Sequence, residues 1–159
     1  MMVPFSVNLI GLLMGWKTMT TREDAKLHYF RKMKPKKSVV DAHWTNPRNH
    51  NPEHFKAGRA LVKRVTRKPG SLFTLEDAVD DGFGYFEDPY EAYVAALRNL
   101  HGLTHTQVLN HEWTQIRWWN WFELNWPARD HPAFVRNVAP WFENHGWDLC
   151  PAHLLEVEA

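Results

Sequence analysis

The charges of this chain are segregated along its length, and that segregation restricts how it can fold. Residues 1–70 carry 15 Lys/Arg against 4 Asp/Glu, and residues 71–159 carry 4 against 14, so halves of +11 and −10 hide behind a net charge of +1. Such a chain either presents one basic face to a polyanion or lays its two halves against each other inside one fold. The basic half suits phosphate contacts, because each cation placed on a phosphate releases a counterion. A plain solvated basic face accounts for the same residues.

At 159 residues the chain is one domain's worth and can bury a full core without a metal or disulfide. A hydrophobic content of 44% with 23% charged residues excludes a disordered chain. The single cysteine, Cys150, excludes an internal disulfide and a Cys-based zinc knuckle. No apolar run is long enough for a membrane span, and Ser6, Asn8 and Gly11 interrupt the apolar start, which lacks a cationic lead and a cleavage site. A reducing, cytoplasmic protein is expected.

Local patterns place the elements. Val7, Leu9, Ile10, Leu13 and Met14 predict a short helix over 6–14, with Gly15 beyond its end. Residues 16–22 read as a strand or loop. Strands are predicted over 38–44 and 60–67, the second ended by Pro69-Gly70. Thr74-Leu75-Glu76-Asp77 opens a short helix that stops at Gly82. Asp88, Pro89 and Glu91 open another, whose stripe is Tyr90, Tyr93, Val94, Leu97 and Leu100, with Gly102 after it. A long strand over 107–117 and a helix over about 132–144 complete the reading, with a Pro/Asn-rich insertion at 45–57. Strands and helices alternate without a βαβ period, which favours α+β.

In this order the segments resemble the ASCH domain, a branch of the PUA-like β-barrels. The resemblance rests on Gly15-Trp16-Lys17-Thr18-Met19-Thr20-Thr21-Arg22 and on Leu72 to Phe83, with its Thr-x-Glu-Asp-Ala-x-x-Asp-Gly-Phe core, and covers about residues 3–118. It implies a partly open barrel (1–118) with flanking helices, followed by a Trp-rich helical extension (119–159) packed on it. It also implies a cleft for RNA or a modified nucleoside. Some small bacterial members are N4-acetylcytidine amidohydrolases, and matching by motif position makes Lys17 the proton acceptor, Thr20 the nucleophile and Asp81 the proton donor. The family's acid is a glutamate, and a carboxylate about 1 Å out of place costs on the order of 10²-fold. Lys36-Lys37 also replace the family's Gly-Asp.

The chemistry is coherent, since a threonine hydroxyl needs an adjacent base and burial can make a lysine one. Ion pairs from Lys17 and Arg22 to Asp80-Asp81 that merely hold the fold shut fit the same residues. Trp16, Lys17, Thr18, Arg22, Trp44, Lys63 and Arg64 are the candidate ligand contacts in the basic half. Trp113, Trp118, Trp119, Trp121 and Trp126 crowd into fourteen residues; with only Arg117 and Arg129 near them, core packing is favoured over base stacking. That aromatic region also offers a surface to a protein partner, which makes an adaptor the third functional reading. His50-x₃-His54 and His101-x₃-His105 lack a third ligand at a suitable spacing, so no metal and no cofactor are expected.

Overall fold

The computed structural model describes residues 2–5, 9–23, 33–44, 55–119, 123–124 and 132–145. The strands are β1 (Met2–Phe5), β2 (Met19–Glu23), β3 (Val39–Trp44), β4 (Phe55–Pro69), β5 (Glu112–Trp118) and β6 (Glu123–Leu124). The helices are α1 (Leu9–Leu13), α2 (Leu75–Asp80), α3 (Pro89–His101), α4 (His105–Asn110), α5 (Pro132–Asn137) and α6 (Ala139–His145). The strand order is β1-β3-β4-β5-β2, with β6 beside β4. β3-β4-β5-β2 form an antiparallel core, and β1 adds to its edge in parallel with β3.

This sheet is open, which corrects the expected PUA-like barrel while keeping the α+β class. Closure needs the first and last strands to pair, and among the described residues β1 and β2 do not. A helix end meets the chain entering β2 instead: Lys17 forms an isolated antiparallel bridge with Asp81, and the Thr18 N–H donates to the Asp80 carbonyl at 2.7 Å. β4 is long enough to serve two neighbourhoods. Its first half pairs with β3, and its second half, past a bulge between Val62 and Arg64, pairs with β5.

Each face of the sheet carries its own core. Leu12, Val40, Ala42, Ala60, Val62, Ile116 and Trp118 pack on one side. Phe73, Ala78, Phe83, Tyr93, Val94, Leu97, Val108 and Trp113 pack under α2 and α3 on the other. β5 is therefore buried on both faces, which explains its poor polar–apolar alternation.

Capping chemistry sets the helix ends. Asp88 accepts from the Glu91 N–H at 3.1 Å, and Gly102 closes α3 at φ 64°, a left-handed value open to glycine without steric cost. Thr74 and Asp77 form a reciprocal capping box on α2. Thr104 and Gln107 form a second box, which starts α4 where a strand from 107 was expected; β5 begins only at Glu112. The helix expected over 132–144 is two, α5 and α6, and β1 was not foreseen. Most of the 45–57 insertion, Cys150, His50, His54, Trp121, Trp126 and Trp147 lie outside the described residues.

Candidate functional site

Strand alternation builds the polar side of the site. Lys17, Thr21 and, from β5, Gln115 and Arg117 project toward α2 and α3, because directly opposed residues share a face and Thr21 stands opposite Gln115. α2 answers with Asp77 from its first turn and with Asp80 and Asp81 at its C-terminal end. The Arg117 guanidinium bonds Asp77 at 2.9 Å and Asp80 at 2.5 Å, and the Lys68 ammonium pairs with Asp77 at 2.5 Å. Two of these cations, Lys17 and Lys68, come from the basic half and all three carboxylates from the acidic half. The segregated charges thus attract one another across this layer.

The Lys17–Asp81 pair is the most deeply buried of these contacts, with each residue 4% exposed. The Lys17 ammonium bonds Asp81 Oδ1 directly and donates to the Asp81 backbone carbonyl at 3.0 Å. Thr21 Oγ1 donates to Asp81 Oδ2 at 2.8 Å and lies 2.5 Å from the Tyr93 hydroxyl, which Gln115 Nε2 approaches at 3.5 Å. Burial pushes the Lys17 ammonium below its ordinary pKa; the Asp81 charge and hydrogen bond oppose this, and Arg22 adds to the lowering. Burial likewise pushes the Asp81 carboxyl up, against the pull of Lys17, Thr21 and Arg22. The Tyr93 phenol is raised well above its usual value, by burial first and then by the Asp81 charge. Both shifts narrow the gap between the ammonium and the carboxyl, and so favour proton exchange between them.

An aromatic hollow is lined by residues from the same two chain segments, with Lys17 and Asp81 themselves outside its lining. Trp16 precedes Lys17, and Gly84 and Tyr85 follow Asp81 by three and four residues; with Val79 they line a cavity of ≈ 360 Å³. Trp16 contacts Tyr85 at 5.6 Å between ring centroids and Trp141 of α6 at 5.8 Å. Burial raises the Tyr85 phenol to about 12. This aromatic cluster is compatible with contact by a ligand or a protein and has nothing specific to RNA.

The structure thus brings together Lys17 and Asp81, while Trp16, the residue before Lys17, turns its ring to Tyr85 and Trp141. Thr20, the expected nucleophile, stands opposite Ile116 on the far face of β2, and the neighbouring Thr21 reaches Asp81 instead. Thr18 contributes backbone bonds, Arg22 is half-buried, and Lys63 and Arg64 are exposed beside the β4 bulge. Trp44 ends β3 opposite Phe55. Thr21, Tyr93 and Gln115 were missed as site residues. Only the two-residue period from Lys17 to Thr21 pointed to the first, and Tyr93 reads as one more member of an apolar stripe. Trp113 and Trp118 are buried, whereas Trp119 is exposed.

Glu23 reaches His111 at 2.9 Å and His101 at 3.4 Å, yet among the described residues no three His, Cys, Asp or Glu side chains are arranged to hold a metal ion. No helix among the described residues is long and apolar enough to cross a membrane.

No family model matches the chain, and no curated protein matches it. One solved structure that resembles it is a crystal structure of protein EF3133 from Enterococcus faecalis V583, of the family DUF984. The match has 14% identity and a TM-score of 0.49, and covers 74% of this chain and 72% of that one. The comparisons therefore give no support for an ASCH or PUA-like domain. The readings as an RNA- or modified-nucleoside-binding protein and as an acetylcytidine amidohydrolase are corrected accordingly. They rest on a barrel cleft that the open sheet does not form, and the enzymatic one also needs a nucleophile that faces away from the acid.

Proposed function

We propose that the Lys17–Asp81 pair is an acid–base centre that moves a proton on a small, planar organic molecule held against Trp16 and Tyr85. The observation that supports this reading is the desolvated pair itself, carried by the two chain segments that also line an aromatic hollow. Perturbed titratable pairs beside a cleft are characteristic of proton-transfer sites. Asp81 is the base, Lys17 balances its charge and returns the proton, and the rings hold the flat body of the substrate. Thr20 has no part in this chemistry. A lone cysteine fits a reducing, cytoplasmic compartment.

5-Nitrobenzisoxazole tests the reading, because it is flat and apolar and opens when a base removes its C3 proton. The C–H electrons form the nitrile as the N–O bond breaks, releasing a coloured cyanophenolate. Wild-type protein is expected to turn it over above the rate of free acetate and butylamine. Asp81→Asn should abolish that excess, and Trp16→Ala should raise KM. No excess in wild type, or an excess untouched in Asp81→Asn, overturns the reading.

A further inference from the structure

The hydrogen bonds behind Asp81 have a direction that follows from counting protons. Thr21 has one hydroxyl hydrogen, and it is donated to Asp81 Oδ2. The bond between Thr21 and Tyr93 must then use the phenolic hydrogen, with Tyr93 donating and Thr21 accepting. The Tyr93 oxygen in turn accepts from Gln115 Nε2. The chain runs from β5 through α3 to β2 and ends on the carboxylate, so every member points positive charge at Asp81.

We infer that Tyr93, acting through Thr21, is a positioning residue that keeps the proton of the buried pair on Lys17 and leaves Asp81 as the carboxylate. A proton passed from Lys17 would land on Asp81 Oδ1, and Oδ2 would still accept from Thr21, but as the weaker oxygen of a neutral carboxyl. The bond from Thr21, itself polarised by Tyr93, is stronger to the carboxylate and so favours the ionised form. The other charged groups facing this chain are Asp77, with its partner Lys68, from α2 and β4, and Arg117 from β5; Arg22, on the other face of β2, acts on Asp81 through its charge in the same sense. The inference rests on the proposed acid–base role, since it explains how the base is kept available.

The test is a carboxyl-carbon NMR titration of protein labelled with ¹³C at aspartate Cγ, with the Asp81 signal assigned by Asp81→Asn. Tyr93→Phe should move the Asp81 midpoint upward by about one pH unit, because it removes the donor behind Thr21, and Thr21→Val by more, because it removes the bond to the carboxylate itself. Thr21→Ser should restore the wild-type midpoint. An unchanged midpoint in folded Tyr93→Phe overturns the inference; should that variant not fold, an unchanged midpoint in Thr21→Val does so. The midpoint requires no substrate, so a relay seen here with no turnover of 5-nitrobenzisoxazole would leave the relay standing and remove the catalytic reading.

Discussion

Lys17 and Asp81, 64 positions apart, meet through both their backbones and their side chains, in an isolated β-bridge and a buried ion pair. The bridge fixes the end of α2 against the start of β2, so the pair's geometry is set by main chain rather than by two free side chains. Such a contact is costly to form and more costly to halve. Lys17→Met or Asp81→Asn should each destabilise the fold by about 3–5 kcal/mol, since either leaves a desolvated group without its partner. The double variant Lys17→Met/Asp81→Leu should recover much of that loss. Urea unfolding of the three variants checks the sign of the coupling.

Alternation along β2 separates two adjacent threonines. Thr21→Val removes a donor to Asp81 and an acceptor for Tyr93 and should cost about 1–3 kcal/mol. Thr20→Val, on the apolar face opposite Ile116, should stay within about 1 kcal/mol of wild type. Equal losses in thermal unfolding would mean that the two side chains share one environment.

Acid stability should depend on Asp77. Burial raises its carboxyl, but the Lys68 bond, the Thr74 N–H, the Lys68 charge and Gln115 together bring it below the ordinary value. A carboxyl whose pKa falls on folding contributes stability that is complete above the unfolded value near 4 and is lost as pH drops through the folded one. Asp77→Asn should therefore lower stability at pH 7 and flatten its decline below about pH 4. A decline as steep as wild type in urea titrations at pH 2–5 would assign the acid sensitivity elsewhere.

Gly70 is required by space, not by backbone angle. A Cβ there would stand 2.1 Å from the Val108 carbonyl oxygen, where the 3₁₀ turn at Gly70–Leu72 meets α4. Gly70→Ala should cost about 1–3 kcal/mol, because backbone rather than a flexible side chain must yield. A melting temperature within about 2 °C of wild type would contradict that contact.

The legible parts of the sequence were those whose signals are local. α3 follows from Asp88, Pro89, its apolar stripe and Gly102, and α2 from its capping box. α4 was missed although Thr104-x-x-Gln107 is the same kind of box, because the doubly buried β5 behind it blurs the period that marks where a strand begins. Lys17 and Asp81 were reached through motif spacing, but their neighbours depend on which face each strand turns inward. Thr20 and Thr21 are one residue apart, which in a strand is a difference of one whole face, and it is Thr21 that meets Asp81. The barrel failed for a related reason: sequence order does not reveal that the end of α2 meets the entry to β2, leaving the sheet open.

The pH dependence of 5-nitrobenzisoxazole opening tests the acid–base account most directly. Burial raises the Asp81 carboxyl, so kcat/KM should rise sigmoidally to a plateau with its midpoint above the ordinary carboxylate value, and the plateau should vanish in Asp81→Asn. A rate that simply tracks hydroxide concentration, identical in wild type and Asp81→Asn, would contradict it.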